Sequence, residues 1–418
     1  MTKTLHHDNA ASVLTLIDEY AAISTEGQGV TRLAYTDIDT TAKQKFMSLC
    51  EKEGMTTRMD SAGNVIARRP GVQSEQAVAC GSHLDTVVNA GRYDGTVGVF
   101  AALEVIRMMN SRNIQTKHPV EIVVFASEES SRFGVATIGS KAMAGKLDLD
   151  VLAQAKDKSG TYFPDAVRSQ GLNFDDFGKA KRTSAELKAF IELHIEQGPL
   201  LETQEVQIGV VTSIAAPTRY RLEVMGQASH SGTTNMSIRK DALAAAAEIV
   251  LEVERLALQE QTNYSVGTVG FLQVSPGSAN TIPGRVEMIA EFRSNHGESK
   301  DRLKIELRRK IDAVQKRRGL TIHTHLLGDE WPVLMDPSVR EVIREACLEN
   351  GLTFVEMASG AGHDAMNMAS LCPTGMVFIP SVGGLSHHPE EFSNADDIQA
   401  GVVTLYDSIL RLAEPIRS

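Results

Sequence analysis

Long apolar runs and paired cysteines are both missing from this sequence of 418 residues. No apolar run approaches the roughly 20 residues that span a bilayer, and the first residues, Met-Thr-Lys-Thr-Leu-His-His-Asp-Asn, lack the apolar core of a signal peptide. The cysteines are widely separated and form no Cys-x-x-Cys pair; they are Cys50, Cys80, Cys347 and Cys372. These absences argue against a membrane span, a disulfide framework and a thiolate zinc site. We expect a cytoplasmic protein whose cysteines are small core residues.

An excess of positive charge is also missing, because 42 Lys and Arg residues stand against 53 Asp and Glu residues and give a net charge of -11. Nucleic acid and anionic membranes both need a basic face on the protein, so we expect neither as a partner. A small anionic substrate stays compatible, since a local arginine or a metal ion can override the net charge. Hydrophobic residues make up 42% and charged residues 23%, which is typical of a soluble globular protein.

The first half of the chain alternates between helical and strand patterns. The predicted elements are helices at 9–24 and 40–53, strands at 64–68 and 77–80, a helix after Asp94-Gly95 and a buried strand at 120–126. Such alternation indicates an α/β fold with a mostly parallel sheet.

Near residue 212 the pattern changes to a β-α-β-β-α-β series, which is typical of a ferredoxin-like arrangement. Its predicted elements lie at 219–225, 239–258, 265–274, 284–293, 300–317 and 321–326. The α/β pattern returns near residue 330, so the smaller domain is inserted in the larger one. A chain of this length exceeds what one core usually serves. We therefore predict a catalytic domain formed by residues 1–212 and 330–418, and an inserted domain formed by residues 213–329.

Five separated segments together have the composition of a site for two divalent cations. They are Gly-Ser-His83-Leu-Asp85, Asp94-Gly95, Glu128-Glu129, His194-Ile-Glu-Gln-Gly-Pro199 and Gly384-Leu-Ser-His387. The candidate ligands are His83, Asp94, Glu129, His194 and His387, which leaves Glu128 as a free carboxylate. Imidazole and carboxylate ligands suit zinc, manganese, cobalt or nickel, and the sequence does not choose among them.

Two of these segments have simpler alternatives. His83 and Asp85 share one face of an extended segment, so Asp85 could orient the imidazole of His83. The alternative is a surface histidine beside a turn aspartate. Asp94 lies in a glycine-flanked loop before a predicted helix, where it could bridge two cations or serve only as the helix N-cap.

The other three segments follow apolar strands or lie in a glycine-rich loop. Glu128-Glu129 follows a buried strand, at the end where active sites of open α/β sheets lie. Adjacent residues cannot both easily face one metal ion, so we expect one acid to bind metal and its neighbour to act as general base. The alternative is a solvated loop. In the loop around His387, the neighbouring His388 is a rival ligand on composition alone.

These motifs resemble the amidase branch of the aminoacylase and carboxypeptidase G superfamily of binuclear metallohydrolases. The resemblance covers nearly the whole chain from residue 31, and it is specific in Gly-Ser-His-Leu-Asp-Thr-Val, Glu-Leu-His-Ile-Glu-Gln-Gly-Pro, Ser-Gly-Ala-Gly-His-Asp-Ala and Gly-Gly-Leu-Ser-His. The branch contains N-carbamoyl-L-amino acid hydrolases, allantoate amidohydrolases and β-ureidopropionases. His194 stands where peptidases of the superfamily usually carry an acid, which disfavours a peptidase.

The resemblance implies a role for each residue of the site. His83 and His194 would bind one metal ion, Glu129 and His387 the other, with Asp94 between them and Glu128 as the general base. The inserted domain would be a lid and a homodimer surface, and its His230 would stabilise the oxyanion at the partner's site. The substrate carboxylate would be bound by Asn280 and Arg293. The ureido end would be held by Gln197 and by the segment that contains Gly360, Ala361 and His363.

Two motifs depart from the family pattern. The usual His-Ala-Gly-Thr-Thr-Pro-Met is here His230-Ser-Gly-Thr-Thr-Asn-Met236, so Ser231 adds a hydroxyl and we expect Asn235 to loosen the loop. His388 replaces a small residue after His387. We expect these departures to affect substrate preference and to leave the metal chemistry intact.

The main hypothesis is hydrolysis of an N-carbamoyl-L-amino acid, a small ureido acid, to the free amino acid, carbon dioxide and ammonia. Allantoate amidohydrolase is the first alternative because it uses the same site, although Gly-Arg-Tyr-Asp-Gly around Asp94 favours a carbamoylase. A β-ureidopropionase or an N-acyl amino acid deacylase comes next. A catalytically inactive scaffold would lack a ligand or the base, and every one of these residues is present.

Overall fold

The computed structural model describes residues 7–416. Its α-helices are α1 (His7–Ala21), α2 (Asp37–Lys52), α3 (Thr96–Ser111), α4 (Ile138–Ala144), α5 (Leu149–Gln154), α6 (Phe163–Ser169), α7 (Leu200–Thr203), α8 (Ala242–Gln259), α9 (Gly297–Arg318), α10 (Pro337–Glu349), α11 (Ala365–Met368) and α12 (Ala395–Ala413). None of these helices is long and apolar enough to cross a membrane.

Its β-strands form three sheets. They are β1 (Thr56–Met59), β2 (Val65–Arg69), β3 (Ala77–His83), β4 (Val120–Phe125), β5 (Leu187–Ile195), β6 (Ile208–Ile214), β7 (Ala216–Met225), β8 (Ser229–His230), β9 (Val266–Ser275), β10 (Thr281–Ile282), β11 (Arg285–Ser294), β12 (Thr321–Asp329), β13 (Val333–Leu334), β14 (Phe354–Ser359) and β15 (Thr374–Ile379). Short 3-10 helices span Phe174–Ala180, Met236–Ile238, Gln261–Asn263 and Val382–Gly384.

The largest sheet has nine strands in the order β1-β2-β4-β3-β5-β15-β6-β13, with β14 paired to β6. At its centre β3 pairs in parallel with β4 and with β5, and β5 pairs in parallel with β15. Antiparallel pairs flank this centre on both sides, through β2 and through β6. The predicted α/β class with a mostly parallel central sheet is confirmed.

The central strands are covered on both faces, as is typical of parallel strands. Every residue of β3 and β4 is buried, including the polar Ser82 and His83 at the end of β3 and Glu121 in β4. The helices α1, α3 and α12 pack against one another, and their buried side chains join the same core as the strands. The four cysteines are free and buried, as expected for core residues.

The chain divides into two compact units. The larger unit comprises the chain up to Thr212, Leu334–Met357 and the chain from His363, and the smaller unit comprises Ser213–Val333 and Ala358–Gly362. In the smaller unit the main elements follow in the order β7, α8, β9, β11, α9 and β12, and the four strands form an antiparallel sheet in the order β12-β7-β11-β9. The apolar faces of α8 and α9 share one core with this sheet.

Candidate metal centre

Two groups of side chains that could each hold a metal ion share the carboxylate of Asp94. In the first group, the Nε2 atoms of His83 and His194 lie 3.2 and 3.1 Å from Oδ1 of Asp94. In the second group, Nε2 of His387 lies 3.3 Å from Oδ2 of Asp94 and 3.1 Å from Oε1 of Glu129. The structure therefore brings all five candidate ligands together, with one oxygen of Asp94 facing each group.

The topology of the parallel strands accounts for this meeting. His83 is the last residue of β3, His194 lies one residue before the end of β5, and Glu129 follows β4. These strands are neighbours in the sheet, and the carboxyl ends of parallel strands share one edge, where α/β proteins build their sites.

The loop before α3 brings Asp94 to the same edge. Gly95 has a φ of 67°, and a Cβ atom there would lie 2.5 Å from the ring of His83, so this close approach requires glycine. The N-cap of α3 is Gly95, with no side-chain hydrogen bond. The alternative that Asp94 serves only as the helix N-cap is therefore wrong.

The hydrogen bonds of the two buried histidines orient their Nε2 atoms toward the same carboxylate oxygen. Nδ1 of His83 lies 2.9 Å from the carbonyl oxygen of Asp85, and Nδ1 of His194 lies 2.9 Å from that of Ile195. A carbonyl only accepts, so each Nδ1 carries a hydrogen, and Nε2 is the ring nitrogen left to face Oδ1 of Asp94. Either a proton or a metal ion has to lie between each Nε2 and this oxygen, and the neutral imidazole would offer its Nε2 lone pair to a metal ion.

The pKa shifts of Asp94 and His83 indicate that the site favours a positive charge. Burial raises the pKa of Asp94, but the imidazoles of His194, His387 and His83 outweigh it and hold that pKa well below its usual value. Burial lowers the pKa of His83, but the hydrogen bond with Asp94 and the charges of Glu128 and Asp85 raise it well above its usual value. The site therefore attracts positive charge, and its nitrogen and oxygen donors suit a divalent metal ion.

Asp85 acts differently from the sequence hypothesis. Its carboxylate lies 3.9 Å from Nδ1 of His83, and its backbone carbonyl accepts the imidazole hydrogen instead. The carboxylate oxygens of Asp85 accept the backbone N–H groups of Glu128 and Glu129, both at 3.1 Å. The expected alternation of side chains fails because β3 ends at His83. Asp85 therefore fixes the backbone that carries both acids.

Glu128 lies beside the first group without belonging to either group. Its Oε2 atom is 3.9 Å from Nε2 of His83, and its side chain is 11% exposed. Burial raises the pKa of Glu128 well above its usual value, and the Glu129 carboxylate adds to this effect against the opposing charge of His83. The result is a buried carboxyl group next to the candidate ligands with a strong tendency to take up a proton.

In the loop after β15, the two candidate ligands His387 and His388 have different contacts. His387 adopts a positive φ of 55° and directs Nε2 at Asp94 and Glu129. His388 is exposed, and its Nδ1 accepts the backbone N–H of Glu390 at 3.2 Å. The geometry favours His387 as the ligand.

Gln197 and His363, both predicted to hold substrate, lie in the larger unit beside the candidate ligands. Nε2 of Gln197 donates to Oδ2 of Asp94 at 2.6 Å, while its Oε1 is buried with no hydrogen-bond partner among residues 7–416. The ring of His363 packs edge-on against that of His194 at 4.6 Å. Burial lowers the pKa of His363 well below its usual value, and the charges of His194 and His83 reinforce this.

The other predicted substrate residues belong to the smaller unit. His230 lies in β8, which pairs with β10, and the backbone N–H of Ser231 donates to the carbonyl of Asn280 at 3.0 Å. His230 and Asn280 are both exposed. Asn235, which we expect to loosen this loop, accepts the backbone N–H of Ser237 at 3.1 Å through its side-chain oxygen and caps a short 3-10 helix.

Arg293, predicted to bind a carboxylate, already holds one within the protein. Its Nε donates to Oε1 of Glu291 at 2.6 Å, and its Nη1 donates to the carbonyl of Gly360 at 3.3 Å. The other oxygen of Glu291 accepts from Arg219. Arg293 is therefore no lone surface charge, and it lies beside the segment of Gly360 and Ala361.

Several contacts around Asp94 escaped the sequence analysis. Ser386 and Glu391 lie within hydrogen-bond distance of one another, and both contact Asp94. These partners are about 300 positions from Asp94 in the chain, and no spacing rule connects segments so far apart. The one available signal was their place in the same loop as His387.

Comparison with known proteins extends over nearly the whole chain. Residues 79–411 match Peptidase family M20/M25/M40. An uncharacterized hydrolase of Haemophilus influenzae is 43% identical over 407 residues, which cover 97% of this chain and 99% of the relative. The N-carbamoyl-L-amino acid amidohydrolase of Geobacillus stearothermophilus is 38% identical over 387 residues, which cover 92% of this chain and 94% of the relative.

Other similar proteins carry related names. Two relatives are each 36% identical: a ureidoglycolate hydrolase of Oryza sativa, with 95% of this chain and 83% of the relative covered, and an allantoate amidohydrolase of Bacillus subtilis, with 92% and 93% covered. Among solved structures, a hydantoinase/carbamoylase family amidase from Burkholderia multivorans superposes with a TM-score of 0.89 at 35% identity, covering 97% of this chain and 98% of that chain.

Proposed function

Because the chain belongs to Peptidase family M20/M25/M40, we propose that it is a metal-dependent amidohydrolase that cleaves N-carbamoyl-L-amino acids to the L-amino acid, carbon dioxide and ammonia. The chain is a hydrolase of carbon–nitrogen bonds other than peptide bonds, since its named relatives are amidohydrolases. The choice of the carbamoyl amino acid rests on the relatives of that name, which are 34–39% identical to this chain.

One observation carries the metal dependence. His83 and His194 both give their Nδ1 hydrogens to carbonyl groups and direct Nε2 at Oδ1 of Asp94. These three side chains would hold one divalent cation, and His387, Glu129 and Asp94 would hold a second. Bound zinc, manganese, cobalt or nickel ions would polarise the scissile carbonyl and lower the pKa of water at the site.

Glu128 moves the proton in the proposed reaction. It belongs to neither ligand group, and its Oε2 lies 3.9 Å from Nε2 of His83, the ring nitrogen that faces Asp94. Glu128 accepts a proton from the water that adds to the ureido carbon, and it returns this proton to the leaving nitrogen as the first C–N bond breaks. The carbamic acid that remains then breaks its other C–N bond and releases carbon dioxide and the second amine, so that the products are the amino acid, ammonia and carbon dioxide. Asp85 holds the backbone of Glu128 in place through the N–H bonds described above.

The substrate would be held at both ends. Oε1 of Gln197 is a buried acceptor without a partner among the described residues, so it suits an N–H of the ureido group. Arg293 and Asn280 would bind the α-carboxylate, because a guanidinium offers paired donors to a carboxylate. Gly360, Ala361 and His363 would complete the ureido end, and His230 would stabilise the oxyanion.

We assign a lid and homodimer role to the smaller unit. Its β-α-β-β-α-β order of elements supports a ferredoxin-like lid. His230 is exposed, as a residue that serves the site of a partner subunit would be in a single chain. Closure of the lid would exclude water from the substrate.

Two related substrates are supported by the names of relatives. Allantoate is the first alternative and ureidoglycolate the second, since hydrolases of both are 36% identical to this chain. Both are ureido acids, so they would need the same metal groups and the same general base.

The experiment that tests the proposal is a substrate panel. Chelator-treated protein is supplied with zinc, manganese, cobalt or nickel, and ammonia and free amino acid are measured in parallel. The panel contains N-carbamoyl-L-amino acids, N-carbamoyl-β-alanine, allantoate, ureidoglycolate and N-acetyl-L-amino acids. We expect metal-dependent turnover of the carbamoyl-L-amino acids above all others. Preference for another substrate, or equal turnover without metal, would contradict the proposal.

A further inference from the structure

Glu391 connects the two loops that carry ligands of the second metal group. Glu391 is a buried residue that is 3% exposed, and its Oε1 atom accepts the backbone N–H groups of Tyr93 and Asp94 at 2.8 and 3.0 Å. Glu391 lies four residues after His387 in the same loop. A single carboxylate oxygen thus ties the loop of Asp94 to the loop of His387.

The second oxygen of Glu391 extends this connection to the side chain of Asp94. The hydroxyl of Ser386 lies 3.1 Å from Oε2 of Glu391 and 3.0 Å from Oδ2 of Asp94. Oδ2 is the oxygen that faces His387. Glu391 therefore restrains both the backbone of Asp94 and the carboxylate oxygen of the second group.

The packing around Glu391 is close. A Cβ atom on Gly91 would lie 2.3 Å from the side chain of Glu391, so the Asp94 loop can approach only because residue 91 is glycine. The rings of Tyr93 and Phe392 meet edge to face at 5.6 Å beside it. These contacts join the same two loops.

The two metal groups differ in how much they need such a connection. His83 and His194 are fixed by the hydrogen bonds of their own Nδ1 atoms to carbonyl groups. His387 has a side chain that is 47% exposed, and the described part of the chain shows no hydrogen bond from its Nδ1. The position of His387 therefore depends on its loop.

We propose that Glu391 is a positioning residue that holds the Asp94 loop against the His387 loop and thereby completes the second metal group. This inference rests on the metal centre of the proposed function. Among residues 7–416, the side chain of Glu391 has hydrogen bonds with Tyr93, Asp94 and Ser386, so it acts on the second metal group through Asp94, Ser386 and the loop of His387.

The test is the metal content and the two metal dissociation constants of full-length variants, measured with zinc or manganese by mass spectrometry and calorimetry. In Glu391→Ala we expect the weaker site to lose affinity by roughly 10–100-fold, as for other residues that position ligands, while the tighter site changes little. Ser386→Ala, which removes one contact only, should have the same pattern with a smaller shift. The neighbouring exposed Glu390→Ala is the matched control and should equal the parent protein.

Glu391→Gln is the conservative variant. Its amide oxygen can still accept the N–H groups of Tyr93 and Asp94, and its NH2 can donate to Ser386, whose hydroxyl then donates to Asp94. We expect Glu391→Gln to keep both metal ions, because positioning needs only the hydrogen bonds. If the negative charge of Glu391 were what the second metal group requires, this variant would lose a metal ion.

The outcomes separate this inference from the proposed function. A parent protein that binds no metal would overturn the metal centre and this inference with it. A parent that binds two ions, with Glu391→Ala unchanged or with both sites weakened equally, would overturn the positioning role alone. Loss of a metal ion in Glu391→Gln would also overturn it.

Discussion

The acidic side chains near the candidate metal centre and those near Arg293 are held in different ways. In the larger unit, the carboxylates near the candidate metal centre accept backbone N–H groups: Asp85 from Glu128 and Glu129, and Glu391 from Tyr93 and Asp94. Backbone donors have no side-chain freedom to lose, so each carboxylate fixes the loop that it contacts.

Near Arg293 in the smaller unit, acidic side chains pair instead with arginine and lysine. Glu291 pairs with Arg293 and Arg219, and Asp329 pairs with Lys304 and with the buried Lys300. Pairs between partly exposed side chains, such as Glu291 with Arg219, contribute little to stability and adjust readily. The comparison indicates that backbone contacts preorganise the candidate metal groups, whereas Arg293, a proposed carboxylate-binding residue, is held by a more adjustable side-chain pair.

The largest expected effect belongs to the preorganised region. Glu128→Gln keeps the shape of the side chain but cannot accept the proton, so we expect turnover to fall by roughly 10²–10⁴-fold while the metal content stays at the parent level. Turnover and metal content are measured on the same preparation, with the exposed Glu26→Gln as control. Turnover near the parent value in Glu128→Gln would remove Glu128 from the mechanism.

The next effect compares two adjacent histidines in one loop. His387→Ala removes a candidate ligand, so we expect metal affinity at the weaker site to fall by more than the roughly 10–100-fold typical of residues that only support ligands. His388→Ala removes an exposed imidazole that contacts only the backbone of its own loop and should leave affinity unchanged. Metal titration of both variants checks this, and the reverse order would assign the ligand to His388.

A third prediction concerns the adjustable region. In Arg293→Lys a single ammonium replaces the paired donors of the guanidinium, so we expect KM for the carbamoyl amino acid to rise by roughly 10–100-fold, as expected for a charged hydrogen bond. The value of kcat should change much less. Arg285→Lys, on the same strand and paired with Glu223, is the control. An unchanged KM would exclude Arg293 from carboxylate binding.

The smallest effect tests an ion-pair cluster of the smaller unit. Burial raises the pKa of Asp329, but hydrogen bonds from Lys304, Thr218 and Lys300 outweigh it and lower that pKa to about 2. Because the folded-state pKa lies below the unfolded value of 3.8, this stabilisation is complete above pH 3.8 and is lost as the pH falls toward 2.

The corresponding variant is Asp329→Asn. We expect it to lower the free energy of unfolding by about 1–2 kcal/mol at pH 7, because solvent screens the partly exposed carboxylate of Asp329 while the buried ammonium of Lys300 loses a partner. Denaturant unfolding at pH 7 and at pH 3 checks the sign, since the difference from the parent should shrink at the lower pH. A difference that grows as the pH falls would contradict this account of Asp329.

Local patterns in the sequence predicted the helices and strands, but they did not predict which distant segments pair with one another. The predicted helix 300–317 and strand 284–293 correspond to α9 and β11, because their apolar residues recur with the periods of a helix and a strand. The strand β6 was not predicted, and it pairs with β15 across a long stretch of the chain. Pairing between such distant segments leaves no periodic signal that identifies the partner.

The same limit applies to the candidate metal centre. Residue type and strand ends predicted the ligands, since the carboxyl ends of parallel strands must meet. Asp85 was expected to orient His83 through its carboxylate, and the structure places its backbone carbonyl at Nδ1 of His83 instead. Glu391 was overlooked because its partners Tyr93 and Asp94 are distant in sequence. The contacts that preorganise this region join segments that are distant in the sequence, so residue spacing alone does not predict them.

The most direct test of the central claim is a metal titration of chelator-treated protein with zinc or manganese, followed by ammonia release from an N-carbamoyl-L-amino acid. The shared carboxylate of Asp94 predicts that activity is absent without metal and reaches its maximum as the second equivalent per chain is bound. Full activity of the metal-free protein, or a maximum with no metal bound at these side chains, would contradict the account.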